Sequence, residues 1–170
     1  MESLFTKEIT VLGIGNTILS DEGFGVRVVE SLQKNYKFPD NVQIIDGGTL
    51  GVELMHFVVG TSKLLIIDSI DGGAKAGEIF HLHGDEILKH FTQKISAHEI
   101  GIQDILTMLE ITEKKIPCVE LLGAQPFSID AGINLTPQMQ KLLPLFIEKS
   151  LEILTNWNVQ WRKNITNIEN

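Results

Sequence analysis

The sequence contains very little cysteine, no long apolar run and fewer basic than acidic residues. Cys118 is the single cysteine, so an internal disulfide and a cysteine-rich zinc site are both excluded. The formal net charge of −8 disfavours a nucleic acid or an anionic membrane surface as the main partner. The opening residues, MESLFTKEITVL, lack the basic and apolar segments of a secretory signal, and no apolar run has the length of a membrane span. We therefore expect a protein of the reducing cytoplasm.

Short apolar segments alternate with longer amphipathic segments along the whole chain. The first, third and fifth apolar segments are nearly continuous, which is typical of strands that are covered on both faces. The fourth alternates between apolar and polar residues, which favours an edge strand. The five predicted strands are residues 8–13, 42–46, 63–69, 77–83 and 117–124.

Helices are predicted between these strands. Ser20 can cap a helix that begins near Asp21 or Glu22, and residues 50–60 form a second amphipathic segment. Ser96 lies three residues before a glutamate, which is the spacing of a capping box at a helix start. The strands and helices therefore alternate in the order that produces parallel strand pairs.

The last predicted helix begins at Thr136, with Pro137 in its first turn and a kink expected at Pro144. Residues 159–170 are mostly polar, and we expect them to be frayed. The predicted fold is a three-layer α/β/α sandwich of the phosphorylase/hydrolase type, with a twisted, mostly parallel five-stranded sheet. We expect a single domain over residues 1–170, with its core at about residues 8–155.

The segment VLGIGNTILSDEGFGVRVVE, residues 11–30, begins like a dinucleotide-binding loop and then departs from it. Gly13 and Gly15 follow an apolar strand, but no third glycine stands at the expected position. Asp21 and Glu22 instead place two negative charges where the loop would hold a phosphate. This counts heavily against a nucleotide-binding oxidoreductase.

Ligands of open parallel sheets bind beyond the carboxyl ends of the strands, which directs attention to Glu22, Asp46 and Asp68. His98 reaches the same edge if its helix runs back across the sheet. Glu22, Asp68 and His98 would then supply two carboxylates and one imidazole, a ligand set that suits a borderline divalent cation, such as Ni²⁺ or Zn²⁺, and leaves coordination positions open. Plainer interpretations remain: Asp21 and Glu22 complement a helix dipole, Asp46 and Asp68 hydrogen-bond turns, and His98 is exposed.

His81 and His83 lie on the same face of one predicted strand. We interpret both as surface residues rather than metal ligands. Cys118 is interpreted as a buried structural thiol rather than a nucleophile.

Ordered segments of the chain, from near residue 11 to beyond residue 140, carry a resemblance to a known family. The chain resembles the hydrogenase maturation endopeptidases, which remove a C-terminal extension from the large subunit of nickel-iron hydrogenases. A lone GxGN motif would be weak, but the ordered set is specific. The matching segments are LGIGNTILSDEGFGVRVVE, IDGGTLGVELM, LLIIDSID, FTQKISAHEIGIQDIL and GINLTPQMQKLLP.

The resemblance implies a peptide-bond hydrolase in which Glu22, Asp68 and His98 contact a metal. It implicates Asp46 near the site or in substrate choice. Cleavage would follow nickel insertion, with the nickel supplied by the hydrogenase large-subunit precursor and serving as the recognition anchor. No organic cofactor, nucleic acid or membrane insertion is implied, and we expect a monomer because nothing requires an oligomer.

Several alternatives stay open at this stage. A non-enzymatic nickel chaperone of hydrogenase assembly would use the same three ligands, and a general zinc aminopeptidase is a weaker option. No HExxH motif and no serine or cysteine triad is apparent in the sequence. The residue that acts as general base is not assigned.

Overall fold

The computed structural model describes residues 7–93, 106–107 and 109–165. Two short 3-10 helices span Ser20–Gly23 and Val52–Leu54, and residues 109–111 are helical. The strands are β1 (Ile9–Ile14), β2 (Tyr36–Lys37), β3 (Val42–Gly48), β4 (Lys63–Ser69), β5 (Ile79–His83), β6 (Cys118–Ala124) and β7 (Arg162–Lys163), and the helices are α1 (Phe24–Asn35), α2 (Met55–Val58), α3 (Asp85–Gln93) and α4 (Pro137–Asn156).

The main sheet has five strands in the order β3-β1-β4-β6-β5. β1 is parallel to both β3 and β4, and β4 is parallel to β6, whereas β5 is antiparallel to β6. All five strands coincide with the segments predicted from the sequence. The prediction of a mostly parallel sheet is confirmed, and so is the edge position of β5.

Helices cover both faces of this sheet, and the alternation of side chains along β4 shows why. Leu65 and Ile67 belong to the core cluster that contains the buried residues of α1 and α4. Leu64 and Ile66 belong to the second cluster, which contains buried residues of α2 and α3. We call the α1/α4 side the first face and the α2/α3 side the second face. The predicted three-layer sandwich is therefore confirmed.

The start of α1 differs from the sequence prediction. Ser20 does not cap this helix, because a 3-10 helix intervenes and Gly23 occupies the cap position of α1. The Ser20 hydroxyl instead donates to the carbonyl oxygen of Asp130 at 2.7 Å, and its backbone N–H donates to the carbonyl oxygen of Gly132. A long-range contact has displaced the local capping geometry that the sequence favours.

The prediction for α4 is confirmed at its start. The hydroxyl of Thr136 accepts a hydrogen bond from the backbone N–H of Met139 at 3.2 Å, and Pro137 is the first helical residue. The helix continues through Pro144 to Asn156.

The prediction that residues 159–170 are frayed is wrong for residues 159–165. β7 pairs with β2 in antiparallel orientation, and the rings of Tyr36 and Trp161 pack edge to face with centroids 5.5 Å apart. Val159 is buried in the first-face core, and the Asn164 side chain donates to the carbonyl oxygen of Lys34. Two apolar residues among the polar ones are enough to dock this segment.

No helix among the described residues is both long enough and apolar enough to cross a lipid bilayer.

Candidate active site

The carboxyl ends of three neighbouring strands meet at one edge of the sheet. Gly13 of β1 pairs with Asp46 of β3 on one side and with Ile67 of β4 on the other. Asp68 follows Ile67 and pairs with Gly123 of β6. The strand register therefore brings Asp46 and Asp68 to the edge where the sequence predicted the site.

Glu22 reaches this edge because glycines permit very close packing of the chain that carries it. Gly15 has φ 142°, and a Cβ atom on it would lie 1.8 Å from the carbonyl oxygen of Glu22. A Cβ on Gly25 would lie 2.1 Å from the carbonyl oxygen of Ile67. The 3-10 helix that carries Glu22 also contacts β4. Glu22 and Asp68 are consequently held at adjoining strand ends by backbone packing.

Asp68 is 3% exposed, and its Oδ1 accepts the backbone N–H of Ser69 at 2.7 Å. Its side chain follows the alternation of β4 and lies on the second face. Leu106 and Leu109, which end the segment that contains the predicted helix from Ser96, pack in the core of that same face. His98 itself lies outside the described residues, so its role stays a prediction.

Asp46 is exposed and takes part in a local turn. Its Oδ1 accepts the backbone N–H of Gly48 at 2.9 Å, two residues further along the chain. This is the turn-forming interaction that the sequence offered as the plainer interpretation. Asp46 nevertheless remains at the same edge as Asp68.

Asp21, which precedes Glu22 in the chain, holds two loop segments in place. Its side chain is fully buried, and Oδ2 accepts the backbone N–H groups of Phe127 and Ser128 at 2.9 and 3.1 Å. Thr136 donates its backbone N–H to Oδ1 at 2.7 Å and its hydroxyl to Oδ2 at 2.9 Å. These hydrogen bonds fasten the β6–α4 loop to the 3-10 helix. Of the adjacent acidic residues, Asp21 is therefore structural, and Glu22 alone remains a candidate metal contact.

Gln125, at the end of β6, fastens a second loop. Its Oε1 accepts the backbone N–H groups of Gly72 and Ala74 at 2.9 and 3.1 Å, and its Nε2 donates to Asp71 at 2.9 Å. Sequence reasoning missed both Gln125 and the role of Asp21. The sequence signal for Gln125 is its position as a polar residue directly after the apolar strand at residues 117–124.

Large apolar side chains are exposed on the loops that follow β1, β3 and β6. Asp21, the chain neighbour of Glu22, holds the β6–α4 loop against the 3-10 helix through the backbone N–H groups of Phe127 and Ser128. We call the exposed apolar residues the apolar rim. It consists of Ile18 (62% exposed), Leu50 (44%), Phe127 (38%), Ile129 (43%) and Ile133 (69%).

The arrangement combines acidic oxygen ligands with a surface for a polypeptide. Glu22 and Asp68 can ligate a cation or move a proton, because a carboxylate serves both purposes. Exposed large apolar side chains on neighbouring loops offer surface that another protein can bury. The edge therefore suits chemistry on a protein substrate.

Comparison with known proteins agrees with this description. A family model described as hydrogenase maturation protease matches residues 26–153. The hydrogenase expression/formation protein HupD of Rhizobium leguminosarum bv. viciae is 40% identical over 154 residues, which cover 89% of this chain and 76% of that protein. The hydrogenase 2 maturation protease of Escherichia coli (strain K12) is 38% identical over 153 residues, which cover 89% of this chain and 93% of that protein.

Solved structures show the same fold. The hydrogenase maturating endopeptidase HybD from E. coli superposes with a TM-score of 0.88 at 36% identity, and the match covers 92% of this chain and 97% of that one. The [NiFe] hydrogenase maturation protease HybD from Thermococcus kodakarensis superposes with a TM-score of 0.71 at 25% identity, over 85% of this chain and 97% of that one.

Proposed function

The chain belongs to the hydrogenase maturation protease family and is a hydrogenase maturation endopeptidase, and we propose that it cleaves a nickel-iron hydrogenase large-subunit precursor after nickel insertion. The product is the mature large subunit without its C-terminal extension. The observation that carries the proposal is the contact of the 3-10 helix that carries Glu22 with β4, the strand that carries Asp68.

The nickel of the precursor is the recognition anchor in this proposal. Glu22, Asp68 and His98 supply two carboxylates and an imidazole, a donor set that suits a borderline divalent cation and leaves its other positions to the precursor. Gly15 and Gly25 support this role because their close contacts leave little freedom for the chain that carries Glu22. A precursor that lacks nickel would lose this anchor and would escape cleavage.

The polypeptide of the precursor docks on the apolar rim. Ile18 and Ile133 are more than half exposed although they are large and apolar, and burying such surface stabilises a complex. Asp21 holds the β6–α4 loop and Gln125 holds the β4–β5 loop, so each loop has one arrangement. A preformed surface of this kind lowers the entropy lost when the precursor binds.

In the chemical step, water adds to the carbonyl carbon of the scissile peptide bond. The C–N bond then breaks, and the leaving amine takes up a proton as the new carboxyl end forms. Binding of the precursor aligns its scissile bond with the water, which lowers the entropic part of the barrier. A carboxylate at the edge carries the proton from water to the amine, and either Glu22 or Asp68 can do so.

The proposed setting is the cytoplasm, with the enzyme acting as a monomer. The single cysteine, which needs no oxidising compartment, supports the cytoplasmic setting. Light scattering of the purified protein tests the monomeric state, because a monomer has a mass of 18.9 kDa.

The experiment that tests the proposal is cleavage of purified large-subunit precursor, prepared with and without nickel and analysed by mass spectrometry. We expect a C-terminal peptide to be released only from the nickel-loaded precursor. His98→Ala and Glu22→Gln should abolish its release while circular dichroism remains unchanged. Release from the nickel-free precursor at the same rate would reject the anchor. No release from loaded cognate precursor, together with tight nickel binding by this chain alone, would favour a chaperone.

A further inference from the structure

Three side chains with metal-binding atoms converge at the edge of the sheet formed by β5. His81 and His83 belong to β5, and Glu120 belongs to its antiparallel neighbour β6. His81 Nε2 lies 2.7 Å from Glu120 Oε2, and His83 Nδ1 lies 3.7 Å from the same oxygen. One ligand atom from each residue lies within 4.8 Å of the other two. We call these residues the edge-strand triad.

The strand geometry explains this convergence. Successive side chains of a strand alternate between faces, so His81 and His83 project from the same face. Glu120 is paired directly with His83, and His81 lies diagonally opposite Glu120. The two imidazole rings lie side by side, with centroids 4.4 Å apart and an interplanar angle of 38°. The backbone therefore already holds the three ligand atoms near one another.

We propose that the edge-strand triad binds a borderline divalent metal ion of the Zn²⁺ or Ni²⁺ class. Two imidazoles and one carboxylate form a recognised zinc ligand set, which leaves a fourth position for water or another ligand. Ligand atoms in a tetrahedral zinc site lie about 3.4 Å apart. The ion therefore requires side-chain rotations and no backbone movement.

Solvent access and hydrogen bonding are compatible with binding. The side chains of His81 and His83 are 38% and 58% exposed, whereas that of Glu120 is 13% exposed. The partly buried carboxylate gives the site a fixed anchor, and the imidazoles leave it open to ions in solution. Binding replaces the hydrogen bond between His81 and Glu120, and His81 then carries its ring proton on Nδ1.

This site is separate from the edge that carries Glu22 and Asp68. Asp68 pairs with Gly123, which is three residues beyond Glu120 and therefore about 10 Å away along β6. Glu120 lies on the first face with Leu122, whereas Asp68 follows the alternation of β4 onto the second face. The proposed metal site is therefore a second function of the chain, beyond the cleavage of a precursor.

The plain alternative is a cross-strand contact that stabilises the edge strand and binds no metal. Isothermal titration of the full chain with Zn²⁺, after treatment with a chelator, separates the two. The background is the Glu22→Gln/Asp68→Asn variant, which removes the two described carboxylates of the candidate active site that could also bind the probe. In that background we compare His81→Gln, His83→Gln and Glu120→Gln with His56→Gln, which changes an exposed histidine on α2.

We expect one Zn²⁺ per chain in the background variant. Each substitution in the edge-strand triad should weaken binding at least about 100-fold, because even the groups that support metal ligands contribute 10- to 100-fold. His56→Gln should bind as the background does. Thermal unfolding with and without Zn²⁺ provides the second measurement, since an ion that binds only the folded chain raises Tm. Absent binding in the background, or equal weakening by His56→Gln, would overturn the proposal.

Discussion

The carboxylate of Asp21 accepts both the backbone N–H and the hydroxyl of Thr136, at 2.7 and 2.9 Å. The same Thr136 hydroxyl accepts the N–H of Met139 and caps α4. One buried side chain thus connects the 3-10 helix beside β1 with the start of a helix 115 residues further along the chain. The acidic pair of the sequence therefore divides its tasks: Asp21 holds the loops, and Glu22 remains at the candidate site.

Asp21→Asn should lower the free energy of unfolding by about 2–4 kcal/mol. An amide NH₂ would face a hydrogen-bond donor at either oxygen position, and each buried donor left without an acceptor costs about 1–3 kcal/mol. Urea unfolding measures this loss. Asp40→Asn, which changes an exposed aspartate, is the control and should shift unfolding by less than about 0.5 kcal/mol. Equal effects of the two substitutions would refute the structural role of Asp21.

Gly25→Ala should destabilise the chain by about 3 kcal/mol and impair cleavage. The new methyl group would lie 2.1 Å from the carbonyl oxygen of Ile67, so α1 must move away from β4 and draw Glu22 from Asp68. Gly51→Ala is a matched control, because the nearest atom to its methyl group lies 3.9 Å away. Urea unfolding and precursor cleavage are measured for both. Normal cleavage by a folded Gly25→Ala variant would show that this contact does not position Glu22.

Asp68→Asn should reduce cleavage of nickel-loaded precursor at least about 100-fold, because it removes a charge that serves as ligand or proton carrier. Asp46→Asn should have a much smaller effect, since Asp46 is exposed and its Oδ1 accepts a turn N–H that an amide oxygen can also accept. Steady-state kinetics compares the two variants. If Asp46→Asn lowered kcat as strongly as Asp68→Asn, Asp46 would belong to the catalytic machinery.

The pair formed by Tyr36 and Trp161 should contribute a coupling energy of about 1 kcal/mol to folding. Edge-to-face aromatic pairs contribute about 0.5–1.5 kcal/mol beyond the area that they bury. A double-mutant cycle with Tyr36→Leu and Trp161→Leu measures this coupling.

Deletion of residues 159–170 should also lower Tm. Unchanged unfolding after that deletion would restore the expectation of a frayed C-terminal segment.

Alkylation of Cys118 should have its pH midpoint above that of free cysteine. Burial, and secondly the Glu120 carboxylate, raise the pKa of the Cys118 thiol, whereas Lys63 lowers it. Because the thiolate is the reactive form, the reaction should become fast only at higher pH. The pKa of this thiol is higher in the folded chain than in the unfolded chain. Its contribution to the free energy of unfolding is therefore fully present below the unfolded-state pKa and is lost as pH rises through the folded-state pKa.

Iodoacetamide labelling in the presence of a chelator measures this midpoint. Glu120→Gln removes the second cause and should lower the midpoint, while Glu110→Gln, which changes an exposed glutamate, should leave it unchanged. A midpoint at or below that of free cysteine would contradict the expected direction of the shift.

Periodic and local features of the sequence were enough to predict the fold. Continuous apolar segments at residues 63–69 and 117–124 indicate strands covered on both faces, and intervening helices favour parallel pairs, although β5 and β6 are antiparallel. The parallel arrangement then places Asp46 and Asp68 at one edge, because the carboxyl ends of such strands lie together. Thr136 and Pro137 likewise marked the start of α4, since helix capping depends on neighbouring residues.

Contacts between distant segments could not be predicted from local sequence patterns. Ser20 has the right type and position for a helix cap, yet it bonds to Asp130, 110 residues away. Asp21 and Glu22 are adjacent and both acidic. No local pattern therefore shows that Asp21 accepts hydrogen bonds from a loop and that Glu22 is the candidate metal ligand. The docking of β7 on β2 also depends on Trp161 meeting Tyr36.

The same division holds for the chemistry. The sequence indicated that Glu22 follows one strand, that Asp68 lies near the end of another, and that His81 and His83 share a face. Only the tertiary structure showed that Gly25 presses against β4, and that Glu120 lies opposite His83. The physical reason is that periodicity determines which way a side chain projects, whereas strand register and close packing determine which side chain it meets.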